Sequence, residues 1–100
     1  MEFLHKRKYI ERGDTVVVDC TDGCNVLVMD DGNFRGYRNG GSFGYERGPY
    51  GKLPARVVVP RSDFWNIVLD LSTSVTAEVR FSVEVLKAAY QPHRSYPQQA

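Results

Sequence analysis

One hundred residues make a single domain and leave no room for a second. With 42% hydrophobic and 25% charged residues the composition is globular, which excludes a disordered polymer. Thirteen basic against twelve acidic side chains give a net charge of +1, so the overall basicity of a nucleic-acid or anionic-membrane binder is missing.

The N-terminal stretch Met1 to Lys8 is basic, but no apolar segment of signal-peptide length follows it. No run approaches the ~18 apolar residues of a membrane span, so a soluble, cytoplasmic protein is expected. The first strand is predicted over Glu2–Ile10, stopped by the turn Gly13–Asp14. Asp14–Cys20 and Asn25–Asp30 are β-branched strands, and the turn Thr21–Gly23 between them predicts a hairpin. Cys20 and Cys24 flank that turn. Their C-x₃-C spacing, with only His5 and His93 elsewhere, is a poor zinc set, and no metal site is expected. Two reduced thiols are the reading for a cytosolic chain, and a disulfide across the hairpin stays open on geometry.

Seven of the nine glycines lie between Gly32 and Gly51, interleaved with Phe34, Tyr37, Phe43, Tyr45 and Tyr50. This pattern predicts a long, turn-rich connection pinned by aromatic rings. Connections longer than ~12–15 residues often carry function. Here Arg35, Arg38 and Arg47 add cations to the rings, which makes Asn33, Phe34, Arg35, Tyr37, Arg38, Tyr45 and Arg47 the candidate binding residues. Plain scaffolding of the sheet by the same rings is the competing reading. Asp30-Asp31-Gly32-Asn33 is a turn signature; calcium ligation by its oxygens is a weaker reading, because the EF-hand order is absent.

Ala55–Val59 is a fifth strand closed by Pro60. Trp65, Ile67, Leu69 and Leu71 form an inward set opposed by Asn66, Val68 and Asp70, and Val68 breaks the polar face as on a central or partly covered strand. Val75 to Val85 alternates apolar with polar residues throughout, which predicts a half-buried strand. Helix signals are weak, amounting to a final turn near Ala89. Gln91–Ala100, with Pro92 and Pro97 and no apolar pattern, is expected to be a flexible tail on a domain of residues 1–90. The predicted fold is all-β, a small antiparallel β-sandwich or partly open β-barrel of six to eight strands. Residues 13–34 carry five acids and no base, whereas 35–61 carry six bases and one acid, so the two blocks either pair across the sheet or form a two-faced surface.

No nucleophile stands beside a base: His5 sits in a basic strand and His93 in the tail. No catalytic residue and no cofactor is expected. The ordered motifs Asn25-Val26-x-Val28-Met29-Asp30-x-x-Asn33-Phe34-x-x-Tyr37-x-x-Gly40, Val57-x-Val59-Pro60 and Trp65-x-Ile67-Val68-x-Asp70-Leu71 resemble a bacterial family. It is the domain of unknown function numbered eighteen-eighty-three, and Phe3-x-His5 with Gly13-Asp14-x-Val16 fits the same pattern. The resemblance spans residues 1–87 and implies a small β-sandwich or opened barrel, standing alone or beside a TIR-type domain, with no established reaction. Asn33, Phe34, Tyr37 and Trp65 are the positions it marks, and the segment after Gly41 and the CTDGC turn depart from it.

The expected function is a non-enzymatic recognition or interaction module working through residues 33–52. The alternative is a small-ligand or carbohydrate-binding sandwich, similar to bacterial pre-peptidase C-terminal domains, with Trp65, Tyr37 and Tyr45 as stacking platforms. A docking module should present a flat apolar patch or an open edge strand. A ligand binder should present a concave pocket lined by rings. The partner, a protein or a small ligand, is not identified by these residues; nucleic acid and membrane are not expected, and homo-oligomerisation stays open.

Overall fold

The structure, a computed structural model, describes residues 3–21, 25–46, 53–71 and 79–88. Among these residues, six strands and one helix follow in chain order: β1 (Phe3–Ile10), β2 (Thr15–Cys20), β3 (Asn25–Asp30), α1 (Asp31–Arg38), β4 (Ala55–Val58), β5 (Asp63–Asp70) and β6 (Phe81–Leu86). They form two antiparallel three-stranded sheets, ordered β1-β5-β3 and β4-β2-β6. The predicted all-β sandwich is therefore the fold, with one short helix added. Alternation puts Val16 and Val18 of β2, Val26 and Val28 of β3, and Trp65, Ile67 and Leu69 of β5 between the sheets, where they form the main core.

A second core lies on the opposite side of the first sheet. Leu27, Met29 and Val68 face outward there, and α1 covers them with Phe34 and Tyr37. The break that Val68 makes in its polar face has this cause: β5 is the central strand, and its outer face is roofed by a helix.

Two expectations about the secondary structure are corrected by these pairings and by α1. β2 and β3 do not form a hairpin; β2 pairs with β4 and β6, while β3 pairs with β5 in the other sheet. The reason is the continuous apolar run Val26-Leu27-Val28-Met29, all buried. Such a strand needs both faces covered, and only the sheet beneath α1 offers that. Residues 31–38 are also not loop. Gly32 and Gly36 each weaken helix propensity by about 1 kcal/mol, which hid the helix, but Phe34 and Tyr37 at i, i+3 put two rings on one buried face.

Cys20 is disulfide-bonded, which corrects the expectation of two reduced thiols. That expectation rested on an assumed compartment, whereas the spacing itself permits a bridge. In β6, Val83 and Val85 are half-buried between exposed Ser82 and Glu84, as the alternation predicts. Residues 72–78 and the predicted tail, 91–100, lie outside the described residues, as do Cys24, Arg47 and Tyr50. No helix among the described residues is long and apolar enough to cross a membrane.

Candidate functional site

The helix begins where Asp30 leaves β3. Its backbone is extended (φ −76°, ψ 177°), and its carboxylate accepts from the Asn33 backbone N–H and from Asn33 Nδ2, both at 2.9 Å. This is an N-cap with a doubled grip. The Asn33 N–H, with the Asn33 side chain and Arg61 at 2.6 Å, outweighs the burial that works to raise it and holds the Asp30 carboxyl below its usual range. The Asp-Asp-Gly-Asn sequence therefore acts as a helix start, and no group of three metal-ligating side chains forms among the described residues. Arg61 bonded to Asp30 joins the basic and acidic blocks, and Asp31 reaches instead to Arg7 on β1.

Asn33 has a further task. Its Oδ1 accepts from the Gly44 N–H at 2.7 Å, while the Gly41 N–H donates to Gly36 O at 2.8 Å and the Glu46 N–H to Val28 O at 2.8 Å. Residues 41–46 are thus laid back over the helix and tied to β3. A side chain at Gly36 would drive into the Ser42 carbonyl, so the glycine is what lets this segment lie directly on the helix backbone. Gly36→Ala is expected to lower stability by about 1–3 kcal/mol, because the forced shift outweighs the helix propensity gained. Amide exchange at Gly41 and Gly44 should accelerate with it; unchanged exchange would refute the contact.

The segment carries two rings outward. Phe43 is 36% exposed and Tyr45 43% exposed; Tyr37 meets Phe43 edge-to-face at 5.1 Å, and Phe43 meets Tyr45 at a tilt, 5.8 Å between centres. Arg35 and Arg38 are exposed on the helix, with Arg38 5.6 Å from the centre of the Phe34 ring. Of the predicted residues, then, Arg35, Arg38 and Tyr45 reach solvent, and Asn33 positions the segment. Phe34 and Tyr37 are buried and belong to the second core. Burial, with the Asp70 carboxylate beside it, pushes the Tyr37 hydroxyl up to about 12, so it stays protonated in ordinary buffers.

A polar network adjoins the helix start and is absent from the sequence reading. Asn66, fully buried on central β5, donates from Nδ2 to Asp31 Oδ1 (2.8 Å) and to Met29 O (3.3 Å). Both partners only accept, so the amide is oriented and Oδ1 faces His5 at 2.7 Å; His5 therefore donates from Nε2. The His5 ring stacks on Phe34 at 4.0 Å. Arg7 grips Asp31 through two bonds of 3.0 and 2.7 Å and lies 4.0 Å over Phe64. Arg7, then Asn66, bring the Asp31 carboxyl down to about 2. The signal for this network was a lone Asn inside the apolar run Trp65–Leu69, but alternation alone assigned it to the solvent face.

The chain belongs to the family described as Domain of unknown function (DUF1883), which it matches over residues 1–89. No curated protein and no solved structure matches it.

Proposed function

We propose that this DUF1883 domain is a non-enzymatic recognition module that binds a protein partner through α1 and residues 41–46. The observation that carries the reading is the pair Phe43 and Tyr45, exposed rings on a segment tied down by three hydrogen bonds from its own backbone N–H groups, beside Arg35 and Arg38. Rings already fixed in place lose little further freedom on binding, and they offer large contact area. Arginines next to them supply hydrogen bonds and charge.

The alternative of a small ligand stacked on Trp65, Tyr37 and Tyr45 finds less support. Trp65 and Tyr37 are buried, and two well-formed surface cavities, one beside Cys20 and Phe81 and one beside Leu4 and Val83, include none of the three. The larger of these two, about 270 Å³, is a shallow depression in which Phe81 is the one ring among the described residues. Ligand pockets usually enclose ~300–1,000 Å³ with convergent polar groups.

Affinity capture with the whole chain, read by quantitative mass spectrometry, tests this. Phe43→Ser/Tyr45→Ser and Arg35→Glu/Arg38→Glu should each lose the specific partners. Their stability should stay within about 1 kcal/mol of the parent, as for surface changes away from caps and cavities. Retention of the same partners by both variants would move the contact surface elsewhere.

A further inference from the structure

β1 and β6 are edge strands: among the described residues β1 pairs only with β5, and β6 only with β2. They lie on the same side of the sandwich and enclose a groove of about 110 Å³ between Leu4, Lys6, Ile67, Leu69, Phe81 and Val83. Directly paired residues share a sheet face, so Leu4, Lys6 and Lys8, opposite Leu69, Ile67 and Trp65, lie on one face of β1; Leu4 and Lys6 line the cleft, and Lys8 is the next residue of that face along the strand. Phe81 and Val83 line the other side of the cleft, and Phe81 is 42% exposed. Arg7, on the opposite face of β1, is held by Asp31, whereas Lys6 and Lys8 meet no acid among the described residues.

We propose that this cleft takes an extended acidic peptide, added as a strand to the edge of β1 that faces away from β5. Its carboxylates lie on Lys6 and Lys8, and an apolar side chain enters the groove between Leu4, Phe81 and Val83. The backbone of β1 supplies hydrogen bonds to any strand, and the side chains select which one. Lysines on an edge also discourage pairing between chains, but charge alone serves that end. An apolar groove beside the lysines and an exposed ring across from them are not needed for protection, and they do fit a bound strand. A second copy of the chain is the poorer occupant, since it would bring its own Lys6, Arg7 and Lys8 against the same three cations.

The probe is a blocked peptide, Thr-Glu-Thr-Glu-Thr-Val-Thr, which laid antiparallel places its glutamates opposite Lys8 and Lys6 and its valine opposite Leu4. Titrated into the isotope-labelled full chain, it should shift amide resonances on β1 and β6 and slow exchange of the β1 amides that point away from β5. Lys6→Glu/Lys8→Glu should weaken it roughly tenfold and should in turn accept the peptide with lysines for glutamates. Added salt should weaken the original pair. The Phe43→Ser/Tyr45→Ser variant should bind the peptide as the parent does, so failure here is separate from failure of the α1 surface. No resonance shifts up to about 1 mM peptide, equal binding of the lysine peptide by the parent, or shifts that track self-association would each overturn the proposal.

Discussion

Trp65→Ala is expected to remove about 3–5 kcal/mol of stability, a large part of the 5–15 kcal/mol that holds a small domain together. Trp65 is 1% exposed and stands on the central strand of its sheet, facing the valines of the other. Its Nε1 donates to Arg61 O at 3.1 Å, and the Arg61 guanidinium lies 4.9 Å over the ring. Alanine would open a cavity in the main core and strip that carbonyl of its donor. Trp65→Phe keeps most of the apolar bulk and loses the indole N–H, so it should cost about 1–2 kcal/mol. Urea unfolding of the three proteins checks the order. An alanine variant within 1 kcal/mol of the parent would mean that the sheets close over the gap, and would remove Trp65 from the core.

The sandwich was legible because period-two alternation is direct evidence of a face. Trp65, Ile67 and Leu69 sit in the main core where alternation puts them, and Val83 and Val85 are half-buried as it predicts. The strand partners were not legible. A turn-like Thr21–Gly23 between two strands reads as a hairpin, and nothing local says that the chain changes sheets there. Only the unbroken burial of Val26 to Met29 carries that information, and it speaks of a second covering layer without naming it. That layer is α1, whose glycines imitate a loop. Gly36 serves the backbone of residues 41–46, so a tertiary contact overrides local propensity there. The same effect hid the site. Rings and arginines drew the reading to residues 33–52, but which rings are buried depends on the helix, and the partnership of Asn66 with His5 and Asp31 joins three separate elements.

Asp14→Ala is expected to cost about 2–4 kcal/mol, because it removes a buried carboxylate that fastens the end of the last strand to the first turn. Asp14 is 3% exposed. Its Oδ2 accepts from Lys87 Nζ at 2.7 Å and its Oδ1 from the Ala88 N–H at 3.0 Å, while its own N–H donates to Glu11 O at 2.9 Å. Burial works to raise its pKa, but the Lys87 ammonium and the Ala88 N–H outweigh burial, and the net shift is downward. A carboxyl with a lowered folded pKa stabilises fully above its unfolded value, about 3.9. That stabilisation is lost as pH falls through the folded value. Lys87 is shifted upward by the same contact, so its share is complete below its unfolded pKa and lost as pH rises through the folded one. Stability of the parent should therefore decline below about pH 4 more steeply than that of Asp14→Asn. Ending the chain after Leu86 removes both partners and should destabilise like Asp14→Ala, whereas ending it after Tyr90 keeps both and should melt like the full chain. If the chain ending at Leu86 also melts like the full chain, the C-terminal end of β6 does not hold Asp14, and the acid-side loss of stability must come from Asp30 and Asp31.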